Sequence, residues 1–166
     1  PIASGNISIV HGFFYSIILC LLALLVLLQF NIFTITLALL SMPLAFSYPF
    51  MKRFTYWPQL FLGITFNYGL ILGWTSTNSE LTMIPILFYF GAIFWTLGYD
   101  TIYGYQDIID DEIIGVKSTS IKFKKKPKIF ITLCYLVFYI SVLIVGILMS
   151  YSLNYFLFSL LIFFHL

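Results

Sequence analysis

Six continuous apolar segments, about 8–28, 31–48, 57–77, 81–106, 128–150 and 153–166, take up most of this chain. A helix needs roughly 20 apolar residues to cross a hydrocarbon core about 30 Å thick. Inside that core every backbone polar group must find its partner within the protein, so only helices and closed barrels span it. A barrel strand reads as alternation over about ten residues, whereas these runs are unbroken and longer. The charge content agrees. Of the 166 residues 8% are charged and 61% apolar, with a mean hydropathy of +1.04, where a soluble domain carries about a quarter charged residues. The expected fold is therefore all-α: a polytopic transmembrane helix bundle of five or six spans, one domain over residues 1–166. Segment 153–166 is short for a full crossing. Membrane lipid is the expected surrounding, and no nucleic-acid partner is expected.

Polar residues and prolines punctuate the spans. Pro58 and Pro85 sit where helices should start, because the first turn has no intrahelical use for the N–H that proline lacks; Pro43 and Pro49 fall near the end of another span. All eight basic residues lie in two stretches: Lys52 and Arg53 in one, and Lys117, Lys122, Lys124, Lys125, Lys126 and Lys128 in the other. Two spans separate them, which puts both on one side of the membrane. The loops at Gln29–Asn31 and Thr75–Glu80 hold no Lys or Arg and belong to the opposite side. Short basic loops stay cytoplasmic, so the basic loops are expected inside. Lys122 to Lys128 read as this topology signal, with attraction to anionic lipid. Cys20 and Cys134 stand alone in apolar segments and read as buried small hydrophobes. His11 and His165 receive no role.

Five of the six acidic residues crowd into positions 100–112: Asp100, Asp107, Asp110, Asp111 and Glu112. At 100° per residue, Asp107 and Asp111 fall about 20° to either side of Asp100, and Tyr103 about 60° off that line. If the helix continues to Asp111, these four residues form one stripe three turns long. An acid in mid-membrane costs on the order of 2.5–3.5 kcal/mol by insertion scales, less near the interface, and like charges one turn apart repel. A cation between them removes the conflict, and carboxylates with water suit Mg²⁺, which commonly completes its shell with phosphate oxygens. The plain alternative is a solvated helix end, which is the better reading for Asp110 and Glu112. For Asp100, deeper in the span, the alternative is a hydrogen bond to a neighbouring helix.

Three blocks of sequence resemble one known family. The run Tyr99-Asp-Thr-Ile-Tyr-Gly-Tyr-Gln-Asp-Ile-Ile-Asp-Asp-Glu-Ile-Ile-Gly-Val-Lys-Ser-Thr-Ser is similar to the second aspartate-rich motif of UbiA-type 4-hydroxybenzoate polyprenyltransferases. Tyr48-Pro-Phe-Met-Lys-Arg-Phe-Thr, followed by Pro58-Gln and Leu62-Gly, resembles the loop between that family's fourth and fifth helices. Pro1-Ile-Ala-Ser-Gly resembles the loop after its first aspartate-rich motif. Order and spacing agree, so the chain corresponds to roughly the third to eighth of nine family helices.

The resemblance implies an intramembrane, Mg²⁺-dependent transferase of ubiquinone biosynthesis, in a bacterial or mitochondrial inner membrane. Its substrates would be a polyprenyl diphosphate and 4-hydroxybenzoate. Carried over residue by residue, Asp107 and Asp111 are the metal ligands of the DxxxD pair. Asp100 and Tyr103 are the catalytic candidates, as base or orienting group and as an aromatic face for an allylic cation. Lys52 and Arg53 are implied to engage the aromatic carboxylate or the diphosphate, and Lys117 to be a further diphosphate contact. The first aspartate-rich motif would lie ahead of Pro1. The 166 residues are thus expected to be a piece lacking half the metal ligands, inactive or very weak alone, with the missing N-terminal segment as a partner. Three other readings stay open: another superfamily prenyltransferase acting on a quinone precursor, haem or chlorin; an inactive split relic; and a cation transporter using intramembrane carboxylates.

Overall fold

The computed structural model describes residues 4–165, and among them it contains helices and turns but no strand. Helix α1 is Ile9–Leu27 and α2 is Ile32–Ser47, the latter passing through a 3₁₀ turn (Tyr48–Phe50) into α3, Met51–Phe54. Then come α4 (Pro58–Phe66), α5 (Tyr68–Asn78), α6 (Met83–Gly104), α7 (Ile108–Ile114), α8 (Thr119–Lys122), α9 (Pro127–Leu148) and α10 (Leu153–His165). Each apolar segment of the sequence thus corresponds to a helix or a pair of helices. Four stretches are long and apolar enough to cross a bilayer: Ile9–Leu27, Ile32–Phe54, Met83–Gly104 and Pro127–Leu148. The 22 residues of α6 or α9 reach about 33 Å. The expected all-α bundle is what forms, with four such stretches among the described residues where five or six spans were expected, because segment 57–77 is divided and α10 has 13 residues. Of the opening block, Pro1 to Ala3 lie outside the described residues, as does the side chain of His165.

Local chemistry sets the helix ends. Ser8 caps α1, its Oγ accepting from the His11 N–H at 3.2 Å. Asn31 caps α2 by accepting from the Thr34 N–H at 2.9 Å, and its Nδ2 donates to Thr75 O at 2.8 Å. Beneath it the Thr34 hydroxyl donates to Thr75 Oγ1 at 3.1 Å, both side chains buried. These bonds tie the two loops without Lys or Arg to each other at one end of the bundle. At the other end the Lys117 N–H donates to Lys52 O at 2.8 Å, joining the two basic stretches.

Segment 57–77 is not one helix. It divides at Asn67, whose Nδ2 donates to Gly63 O (2.8 Å), Ala92 O (3.1 Å) and Thr96 Oγ1 (2.7 Å). An amide at this depth needs protein partners because lipid offers none, and α6 provides them. The core lies where α6 packs between α9 and α4, with Ile93, Leu97, Cys134, Val142 and Val145 buried. Without a hydrophobic drive between helices in lipid, small residues that permit close approach hold such contacts. A Cβ on Gly91 would stand 2.6 Å from Ser141 Cβ, and one on Gly63 would stand 2.8 Å from Ile93 O. By contrast α1 buries none of its residues, and Cys20 on it is exposed where the sequence suggested burial; Cys134 is buried as expected. A lone thiol on an unpacked helix faces the apolar surroundings, not the protein.

Helix α6 stops at Gly104 rather than running on to Asp111, which corrects the continuous stripe expected from the sequence. In a continuing α-helix the Tyr105 N–H would bond Thr101 O. It turns instead to Ile102 O (3.1 Å), and the buried Ser120 hydroxyl takes Thr101 O at 2.7 Å. The chain then bends through Gln106, and α7 begins after Asp107.

Candidate functional site

Four of the seven site candidates gather at the end of the bundle where the basic stretches meet. Asp111 sits in the first turn of α7 and is 7% exposed. Lys52 Nζ, on α3, lies 3.4 Å from each of its carboxylate oxygens. This pairs two groups 59 residues apart in sequence. Gly115 makes the geometry possible. Its φ of +81° ends α7 in the left-handed conformation, which glycine adopts without a Cβ penalty. The N–H groups of Gly115 and Val116 both donate to Asp111 O at 3.0 Å, and the chain folds back so that Lys117 pairs its backbone with Lys52. The Lys117 ammonium then donates to Phe54 O at 3.3 Å and stands 5.5 Å over the Tyr56 ring. Asp100, half-buried on the last turns of α6, is in electrostatic range of both Lys52 and the Tyr48 phenol.

The other three stay more open. Asp107 is exposed at the N-cap of α7, one turn before Asp111, whose N–H donates to Asp107 O at 2.8 Å. Tyr103 is 63% exposed, with its ring edge-on to Tyr99 at 6.4 Å. Arg53 is exposed, and among the described residues it forms no ion pair. Glu112 pairs with Lys124 at the surface and Asp110 is exposed, in keeping with a solvated helix side for both. Nearby, burial pushes the Tyr105 phenol above its ordinary pKa, and its hydroxyl is buried with no hydrogen-bond partner among the described residues. Lys122 lies 4.3 Å over the Trp57 ring, a contact the sequence did not suggest.

Among the described residues no three His, Cys, Asp or Glu side chains converge on a metal position. Asp107 and Asp111 are a pair of carboxylates one turn apart, the second buried against an ammonium. That chemistry suits Mg²⁺, which takes one or two carboxylates and fills its shell with water and phosphate oxygens instead of entering an all-protein cage. Sequence reasoning missed Gln59, Thr101, Thr119 and Ser120, all buried behind the charged cluster. The available signal was a glutamine directly after Pro58 and a Ser/Thr run in an otherwise apolar chain. A cavity of about 600 Å³ lies elsewhere, toward the opposite end, lined by Gly73, Trp74, Asn78, Phe88 and Tyr155 among others, and shares no residue with the cluster.

An apolar helix bundle with every Lys and Arg and five of its six carboxylates at one end defines a polytopic integral membrane protein. The chain belongs to the UbiA prenyltransferase family, whose model matches residues 1–166. It is 44% identical over 133 residues to 4-hydroxybenzoate geranyltransferase 2 of Lithospermum erythrorhizon, covering 80% of this chain and 44% of that protein. It is 45% identical over 133 residues to the mitochondrial 4-hydroxybenzoate polyprenyltransferase of Arabidopsis thaliana, covering 80% of this chain and 33% of that protein. The mitochondrial enzyme of the same name from Bos taurus is 46% identical over 129 residues, 77% of this chain and 35% of the relative. The chain thus spans between a third and 44% of the length of these curated relatives. No solved structure matches it.

Proposed function

We propose that this polypeptide transfers a polyprenyl group from its diphosphate to the ring of 4-hydroxybenzoate, with Mg²⁺, as a step of ubiquinone biosynthesis. The observation that carries the reading is the convergence of Lys52, Lys117 and Asp111 at one end of the bundle, where a diphosphate with its lipid tail in the bilayer would present its charge. Relatives named for this reaction, 44 to 46% identical, supply the acceptor.

The roles follow from the chemistry of the groups. Asp107 and Asp111 would hold Mg²⁺, which when bound offsets the charge that grows on the departing diphosphate. Lys52, Arg53 and Lys117 take anionic oxygens of the diphosphate, Lys52 turning from Asp111 to do so. As the allylic carbon–oxygen bond breaks, the exposed face of Tyr103 is available to the cation. The ring of the acceptor then forms the new carbon–carbon bond and loses its proton to a carboxylate or to the diphosphate. Asp100 orients the acceptor or receives that proton. The basic face is the cytoplasmic or matrix side of an inner membrane. The matched stretch covers less than half of each of these relatives, and full activity draws on further acidic ligands from the remainder of such a protein.

The test is prenyl transfer in phospholipid vesicles, with geranyl diphosphate and a panel of acceptors, in the presence and absence of a chelator. The chain alone should give a trace of prenylated 4-hydroxybenzoate at most. Co-expression with the first two helices of a curated relative should raise it at least about tenfold, in a chelator-sensitive manner. Transfer to another acceptor in preference, or transfer indifferent to chelation, would overturn the assignment.

A further inference from the structure

The run Lys117-Ser-Thr-Ser has the composition of a phosphate-binding loop, but its hydroxyls point the wrong way for one. Ser118, Thr119 and Ser120 are all 0% exposed. Ser118 Oγ caps α8 by accepting from the Ile121 N–H at 3.2 Å, and Ser120 Oγ donates to Thr101 O at 2.7 Å. The Thr101 hydroxyl donates to Leu97 O at 2.6 Å, so in the 2.7 Å contact between the two threonines Thr119 is the donor. Behind them Gln59 Oε1, 3% exposed, accepts from the Thr119 N–H at 3.0 Å. Only Lys117 of this run reaches outward. Space at the junction is closed as well: a Cβ on Gly104 would run into Ser120 Oγ.

This cluster joins three elements. It fastens the loop after α7 to the end of α6 and the start of α4, and that same loop holds Asp111 O through Val116 and Lys52 O through Lys117. We propose that Gln59, Thr101, Thr119 and Ser120 form a positioning latch that sets Lys52 and Lys117 against Asp111, and thereby the affinity for the diphosphate end of a substrate. The latch touches no substrate and acts only through the groups it places. The inference rests on the prenyl-diphosphate reading above for its ligand, and on the hydrogen bonds for its geometry.

Thr119→Val keeps the side-chain shape and removes the hydroxyl; Thr119→Ser keeps the hydroxyl. In vesicles, with the chain co-expressed beside the first two helices of a curated relative, Thr119→Val should raise KM for the prenyl diphosphate about tenfold. KM for the aromatic acid should stay within about twofold and amide exchange over residues 115–120 should quicken, while Thr119→Ser should follow the wild type. A wild-type KM for the diphosphate despite faster exchange, or a loss of folded protein with no change in KM, would overturn the proposal. If Thr119→Val does not accumulate folded, Ser120→Ala carries the same comparison. If the wild-type chain transfers no prenyl group even beside those helices, the function reading falls by itself. Calorimetric binding of magnesium pyrophosphate then decides the latch, which stands on a tenfold weaker affinity in Thr119→Val and falls if affinity is equal or undetectable in both.

Discussion

Asp111 combines burial with a single long contact to an ammonium, an uncommon state for a carboxylate. A buried charge normally gathers several hydrogen bonds, because desolvation costs more than one distant partner returns. At 3.4 Å to both oxygens, Lys52 offsets the charge without filling every lone pair, which leaves acceptor capacity for a second cation. Asp110, its neighbour, is exposed and makes no ion pair among the described residues. The two substitutions should therefore diverge. With the chain co-expressed beside the complementary helices, Asp111→Asn should lower kcat/KM for prenyl transfer by about 100-fold or more, the scale of losing a group that offsets transition-state charge. Asp110→Asn should leave it within about twofold. Steady-state kinetics across a magnesium titration measures both. Equal losses would mean that net acidity near the membrane surface matters, not the position of Asp111.

The helices come together on small residues, and each glycine has its own tolerance. Gly63 of α4 meets the backbone carbonyl of Ile93, which cannot rotate away, whereas Gly69 of α5 has nothing within 4 Å. Gly63→Ala should cost about 1–3 kcal/mol through forced separation of α4 and α6. Gly69→Ala should be neutral or gain about 0.5–1 kcal/mol from reduced backbone entropy. Unfolding titrations in mixed micelles would compare them, and a Gly63→Ala protein as stable as the wild type would show that the α4–α6 contact yields. These elements also mark what sequence could reveal. The spans, the proline starts and the pairing of like loops were legible, because apolar length and charge placement are properties of the chain alone. The break at Asn67 was not. Nor was the end of α6 at Gly104. Both depend on hydrogen bonds to residues distant in sequence, Thr96 in one case and Ser120 in the other. For the same reason the helical period suggested a single stripe from Asp100 to Asp111, while the structure brings Asp100 and Asp111 toward Lys52 by two separate helices.

Across the whole molecule, polarity is sorted by end. One end carries every Lys and Arg, bound together where the Lys117 N–H meets Lys52 O; the other is held by Asn31 on Thr75 and carries only Glu80 as a charge. Positive residues resist translocation far more than acidic ones do, so insertion should retain the Lys/Arg end in the compartment where the chain is made. The diphosphate head of a lipid substrate would then be met on that side. Single cysteines at Ser79 and Lys125, in a background with Cys20 and Cys134 replaced by Ala, report the arrangement directly. In sealed vesicles of known orientation, an impermeant maleimide should label the two positions from opposite sides. The Lys125 cysteine should react only from the face that also gives access to pyrophosphate. Labelling of both from one side would require an odd number of crossings between α5 and α9 to be undone. The packing of α6 between α4 and α9, on which the charged cluster is built, could not survive that rearrangement.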